Sequence, residues 1–132
     1  MSTLRYADVA EGVRAAIAAY THALDDGITD AVVASYTPDG VFDMPGTGRF
    51  EGHDALRAVY TEWKPQRPQR HMEVNTLVTE WDDHEATAIS DVVFSLKGES
   101  GWKIQFVARY HDVLHRDDGQ DRWTFRSRTV VV

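Results

Sequence analysis

Between Asp8 and Asp26 the apolar residues Val9, Val13, Ala16, Ile17, Tyr20 and Leu24 recur at helical spacing, which predicts a helix with one buried stripe. Asp8 can cap its start, with Glu11 at capping-box distance, and Gly27 supplies a left-handed stop. Thr29–Tyr36 reads as a second short helix ended by the turn Thr37-Pro38-Asp39-Gly40. Short strands are expected at Val41–Met44 and Arg49–Glu51, around Pro45-Gly46-Thr47-Gly48. Gly52–Trp63 forms a third helix with Leu56, Val59, Tyr60 and Trp63 on one stripe.

After Pro68 the pattern changes to four long β-type runs, at about 70–81, 86–97, 102–115 and 121–131. Asp82-Asp83-His84-Glu85, Gly98-Glu99-Ser100-Gly101 and Asp117-Asp118-Gly119-Gln120 separate them with hairpin chemistry. Helices first and an antiparallel meander afterwards define an α+β fold, read as one domain over residues 1–132. Strands this long must twist and curl, and a curled sheet crossed by helices leaves a pocket on its concave side.

Composition narrows the chemistry that such a pocket can host. With no cysteine among 132 residues, disulfides, thiolate metal sites and thiol nucleophiles are excluded. A net charge of −7 argues against a nucleic-acid partner, since the lone basic cluster, Lys64–Arg70, is broken by Pro65 and Pro68. No apolar run has the length of a membrane helix, and no signal-peptide core follows Met1, so a cytoplasmic protein is expected. Metal-binding histidine spacings, a glycine-rich phosphate loop and a Gly-x-Ser-x-Gly elbow are also lacking, so no cofactor is expected.

Attention therefore falls on polar residues in apolar patterns. Tyr20 lies on the first helix's stripe and Asp25 at its edge, where the negative helix end gives a carboxylate no help. Each also has an ordinary reading, as a core phenol and a solvated helix-end acid. His71 opens the first long strand on a face with Glu73 and Asn75, opposite Met72, Val74, Thr76 and Val78. That polar face is either solvated or turned into a pocket, where an imidazole exchanges protons near neutral pH. Asp91 interrupts the run Ile89–Phe94 and is an edge residue, a pocket group or a partner for Arg109 or Arg128. Arg128, between Phe125 and Val130, reads as a buried paired cation.

Several stretches together carry a family likeness. They are Tyr20-Thr-His-Ala-Leu-Asp25, Tyr36-Thr-Pro-Asp-Gly-Val-Phe42, Gly48-Arg-Phe-Glu-Gly52, Arg70-His-Met-Glu-Val-Asn75, Arg109-Tyr-His-Asp112 and Arg122-Trp-Thr-Phe-Arg-Ser-Arg128. In order and spacing the chain resembles the SnoaL-like branch of the nuclear transport factor 2-like, or cystatin-like, superfamily. The resemblance implies a cone of three N-terminal helices on a strongly curved antiparallel sheet enclosing a pocket. Within that superfamily the pattern is similar to dehydratase-type enzymes such as scytalone dehydratase, bile-acid 7α-dehydratase and hexachlorocyclohexane dehydrochlorinase. The likeness assigns a base to His71, its orienting carboxylate to Asp25, a leaving-group contact to Tyr20 and a pocket cation to Arg128.

The leading expectation is thus a cofactor-independent lyase of dehydratase type, acting on a small hydrophobic alicyclic, steroid-like or polyketide molecule. Phe42, Met44, Tyr60, Trp63, Asn75, Asp91, Phe94 and Tyr110 are its expected substrate contacts. A ketosteroid-isomerase-type or cyclase-type alternative would use Asp43 as base and Tyr20 as oxyanion donor. A non-catalytic binding or assembly module is the third reading. A dimer or trimer that buries the sheet's outer face is also expected, from Trp81, Trp102 and the Val and Ile residues on both strand faces.

Overall fold

A computed structural model describes residues 3–132. Helix α1 (Tyr6–Asp25) is followed by α2 (Thr29–Ala34), strands β1 (Tyr36–Met44) and β2 (Gly48–Glu51), and helix α3 (Gly52–Glu62). Four long strands complete the chain: β3 (Gln69–Trp81), β4 (Glu85–Gly98), β5 (Gly101–His115) and β6 (Thr124–Val131). They form one six-stranded, curved, unclosed sheet in the order β2-β1-β6-β5-β4-β3. The β3-to-β6 meander is antiparallel as expected, and β1 joins β6 in parallel. The α+β cone is therefore the observed architecture. Among the described residues no helix is long and apolar enough to cross a membrane.

Helix α1 buries Val9, Val13, Ile17, Tyr20 and Leu24 against the sheet, the stripe that its period predicts. Its start differs from the expected one. Arg5 is the N-cap, and Asp8 sits in the first turn, where its carboxylate accepts the Arg5 backbone N–H at 3.0 Å. At the other end Gly27 has φ 72°, so the chain leaves the helix through the left-handed region that glycine tolerates. Gly12 allows a different close approach, since a Cβ there would lie 2.5 Å from Cδ1 of Trp123.

The turn predicted at Thr37–Gly40 is absorbed into β1. Tyr36 already pairs with Phe125, and the register then jumps to Val41 opposite Ser127, so residues 37–40 form a bulge within the strand. Helix α2 accordingly stops at Ala34.

A second irregularity fixes which way β3 faces. Gln69, His71 and Glu73 point into the concave side, but Asn75 takes φ 58° and the register with β4 shifts between Val74 and Leu77. This bulge reverses the inside–outside phase, so Val78 is buried while Asn75 is exposed. On the outer face Met72, Val74, Leu77, Ile104, Val107 and Val131 are all exposed. Trp102 lies there too, under the Arg70 guanidinium at 5.5 Å. Trp81, expected on that face, instead packs inward against the core, edge-on to Tyr6 at 6.3 Å.

Candidate active site

The mouth of the cone holds a cavity of about 400 Å³. Its wall includes Phe42, Met44, Tyr60, Trp63, Phe94 and Tyr110, all six expected from the sequence, together with Tyr20 and His71. The aromatic rings pack mainly edge to face: Phe42 and Tyr60 each meet Trp63, at 5.6 and 5.5 Å. Asp25 ends α1 beside the start of β3, and this is where helix and strand bring chemistry together. Nδ1 of His71 donates to Asp25 Oδ1 at 2.6 Å, and the His71 backbone N–H donates to Asp25 Oδ2 at 2.8 Å. Gln69 Nε2 gives Oδ1 a further hydrogen bond at 3.1 Å. These three donors supply the stabilisation that the helix terminus withholds from a carboxylate.

An acceptor-only carboxylate places the proton of neutral His71 on Nδ1, leaving the Nε2 lone pair as the basic atom. The imidazole stacks on Phe94 at 4.3 Å, which fixes the plane of the ring. A groove of about 680 Å³ between α1 and β3 is also lined by Asp25 and His71 and includes Asn75.

Three buried phenols form a second unit. Tyr36 and Tyr60 hydroxyls are 2.7 Å apart, and Tyr60 and Tyr20 hydroxyls 2.5 Å. Tyr36 does not line the cavity, whereas Tyr20 and Tyr60 do. Tyr60 sits between the other two hydroxyls, and in each bond either oxygen can be the donor. Tyr20 ends this network on the cavity wall, where its hydroxyl can turn to donate or accept. Burial raises the pKa of all three phenols well above the ordinary value, so they stay protonated and act as hydrogen-bond donors.

Arg128 departs from its expected place in the pocket. It is fully buried behind the wall and is absent from the cavity lining. Its Nε and Nη2 reach the two Asp112 oxygens at 2.8 and 3.1 Å, and Nη2 also donates to Glu73 at 2.5 Å. The other Glu73 oxygen accepts from the Thr21 hydroxyl. The rings of Tyr110, Phe125 and Tyr20 surround the guanidinium at 3.8, 4.5 and 4.6 Å. Two carboxylates share one cation out of water, and burial pushes the Asp112 carboxyl up to about 6 despite Arg128. Burial disfavours the charged guanidinium, but Asp112 and Glu73 hold its pKa well above the ordinary arginine value.

Three other expected residues also lie away from the cavity. The bulge turns Asn75 outward, where its amide donates to Asp91 at 3.1 Å. Asp91 in turn pairs with Arg109 at 2.7 Å across β4 and β5 on the outer face, and Arg109 holds its carboxyl below the usual range. Asp43, the alternative base, alternates with Phe42 and Met44 along β1 and is not among the cavity-lining residues. Conversely, the sequence reading gave no role to Gln69, Tyr36, Glu73 or Asp112. The last two had a readable signal, in-phase spacing two residues from His71 and from Tyr110.

The SnoaL-like domain family matches residues 5–129. A Catenulispora acidiphila protein solved in complex with S-DNPA is 27% identical, with a TM-score of 0.83 over 94% of this chain and 92% of that one. A protein of unknown function from Mycobacterium tuberculosis is also 27% identical, with a TM-score of 0.82 over 91% of this chain and 69% of that one. An NTF2-like protein with a cystatin-like fold from Novosphingobium aromaticivorans shares the fold at 20% identity, with a TM-score of 0.79 over 91% and 79%. No curated protein matches the chain. With the family spanning nearly all of the described fold, the chain belongs to the SnoaL-like domain family.

Proposed function

We propose that the protein is a cofactor-independent lyase of dehydratase type, acting on a small hydrophobic hydroxy-ketone-like molecule in the cone. The observation that carries this reading is the Asp25–His71 contact at 2.6 Å on the rim of an aromatic cavity. Asp25 holds the imidazole with Nε2 unprotonated, and Nε2 removes a proton from the carbon beside a carbonyl. Tyr20, backed by Tyr60 and Tyr36, donates a hydrogen bond to the oxygen on which negative charge develops. The resulting enolate expels the β-hydroxyl, which takes the proton back from His71 Nε2 and leaves as water, returning the imidazole to its neutral form.

The phenol chain favours a second reading with the same first step. If the proton returns to another carbon before hydroxide leaves, the product is an isomer. His71 then serves as base in place of Asp43.

Turnover of a hydroxy-ketone and 3-keto-steroid panel tests the proposal. Asp25→Asn and His71→Asn should each lower the rate by about 10²–10⁴-fold with the fold intact, while Asp43→Asn should change it little. Loss of activity in Asp43→Asn alone would refute the assignment. Equal, small effects from all three, with ligand still bound, would favour a binding module.

A further inference from the structure

Gln69 is two residues before His71, so both side chains lie on the inner face of β3. Its side chain is buried, yet it belongs to the cavity wall. Its Nε2 is committed to Asp25 Oδ1, the oxygen that also takes the His71 Nδ1 proton. An ionised carboxylate only accepts, so the amide has one workable orientation, with nitrogen on Asp25 and carbonyl turned away. The flipped amide would set oxygen against oxygen. Among the described residues the Gln69 carbonyl Oε1 has no hydrogen-bond partner, and the atom is not itself sealed from the cavity.

We infer that Gln69 Oε1 is a specificity-determining acceptor for a hydroxyl group on the ligand, so that the cavity selects hydroxylated carbocyclic ketones over their deoxy counterparts. The inference rests on the functional reading above, because the Asp25 carboxylate that aims the amide is the one that orients His71. The Tyr and Thr hydroxyls of the wall can turn to donate or accept, whereas this carbonyl can only accept. The ketone oxygen has its donor in Tyr20, and the ligand hydroxyl has its acceptor in Gln69. A ligand without that hydroxyl buries the carbonyl unpaired against aromatic rings, which is the asymmetry by which polar sites reject deoxy analogues.

Calorimetric titration of the whole protein with 1-tetralone, 3-hydroxy-1-tetralone and 4-hydroxy-1-tetralone tests this directly. The expected result is a hydroxylated isomer bound about three- to tenfold more tightly than 1-tetralone. In Gln69→Met that preference should vanish while the 1-tetralone Kd stays within about twofold. Gln69→Leu serves as the second variant should Gln69→Met fail to fold. Equal binding of all three ketones by the wild type, a preference unchanged in both variants, or no binding of any ketone at millimolar concentration would overturn the inference. Because 3-hydroxy-1-tetralone is a β-hydroxy-ketone, the titrations are run in the His71→Asn background as well, where elimination does not add to the heat of binding. A preference that persists in a protein whose His71→Asn variant loses no activity would leave Gln69 in its role and refute the base assignment instead.

Discussion

Replacing Arg128 by Met should expose how the fold tolerates charge in its centre. Methionine fills a similar volume but removes the cation that Asp112 and Glu73 share. Both acids are almost completely buried, with side-chain exposures of 0% and 3%. Breaking a buried pair costs on the order of 3–5 kcal/mol, because an uncompensated charge is left behind. The guanidinium also touches three rings, and each such contact is worth about 0.5–2 kcal/mol. The orphaned carboxylates escape part of the penalty by binding protons, so the loss should be larger at pH 8 than at pH 5. Urea unfolding followed by tryptophan fluorescence at the two pH values measures it. A loss below about 1 kcal/mol at pH 8, or one independent of pH, would refute the buried-network reading.

Asp112 makes a related prediction with a definite sign. Its folded-state pKa of about 6 lies above the ordinary 3.8, so the native state binds the proton more tightly than the unfolded chain does. The stability of wild type relative to Asp112→Asn should therefore fall as the pH rises from 4 to 7, by up to roughly 3 kcal/mol, and a difference that rises would contradict it. The exposed apolar positions of the outer face predict self-association there. Light scattering should show an oligomer at micromolar concentration that Leu77→Lys with Val107→Lys converts to monomer, and a wild-type monomer would contradict this.

Much of this geometry was legible before folding. Helical stripes, hairpin separators and the long strands follow from periodicity, and the six apolar wall residues follow from their phase on those elements. Asp25 and His71 were legible as a pair mainly through family likeness, since 46 positions separate them in the chain. What strict alternation concealed was decided by bulges. Asn75 shares a face with His71 only if β3 is regular, and its left-handed φ turns it away. Arg128 is a paired cation, as its apolar neighbours suggest, but its partners come from β3 and β5, so no local pattern names Glu73 and Asp112. The amide of Gln69 is hidden because Pro68 directly precedes it, so the alternating pattern marks the strand only from residue 70 while pairing starts at Gln69.

Nitrogen-detected NMR of the His71 imidazole tests the central claim without a substrate. With the His71 imidazole neutral, Nδ1 of the wild-type protein should carry the proton and Nε2 should be bare and pyridine-like, fixed by Asp25. Asp25→Asn should abolish that preference, since the new amide can offer the ring either a donor or an acceptor. A proton on Nε2 in the wild type, or a tautomer unchanged by Asp25→Asn, would contradict the dyad.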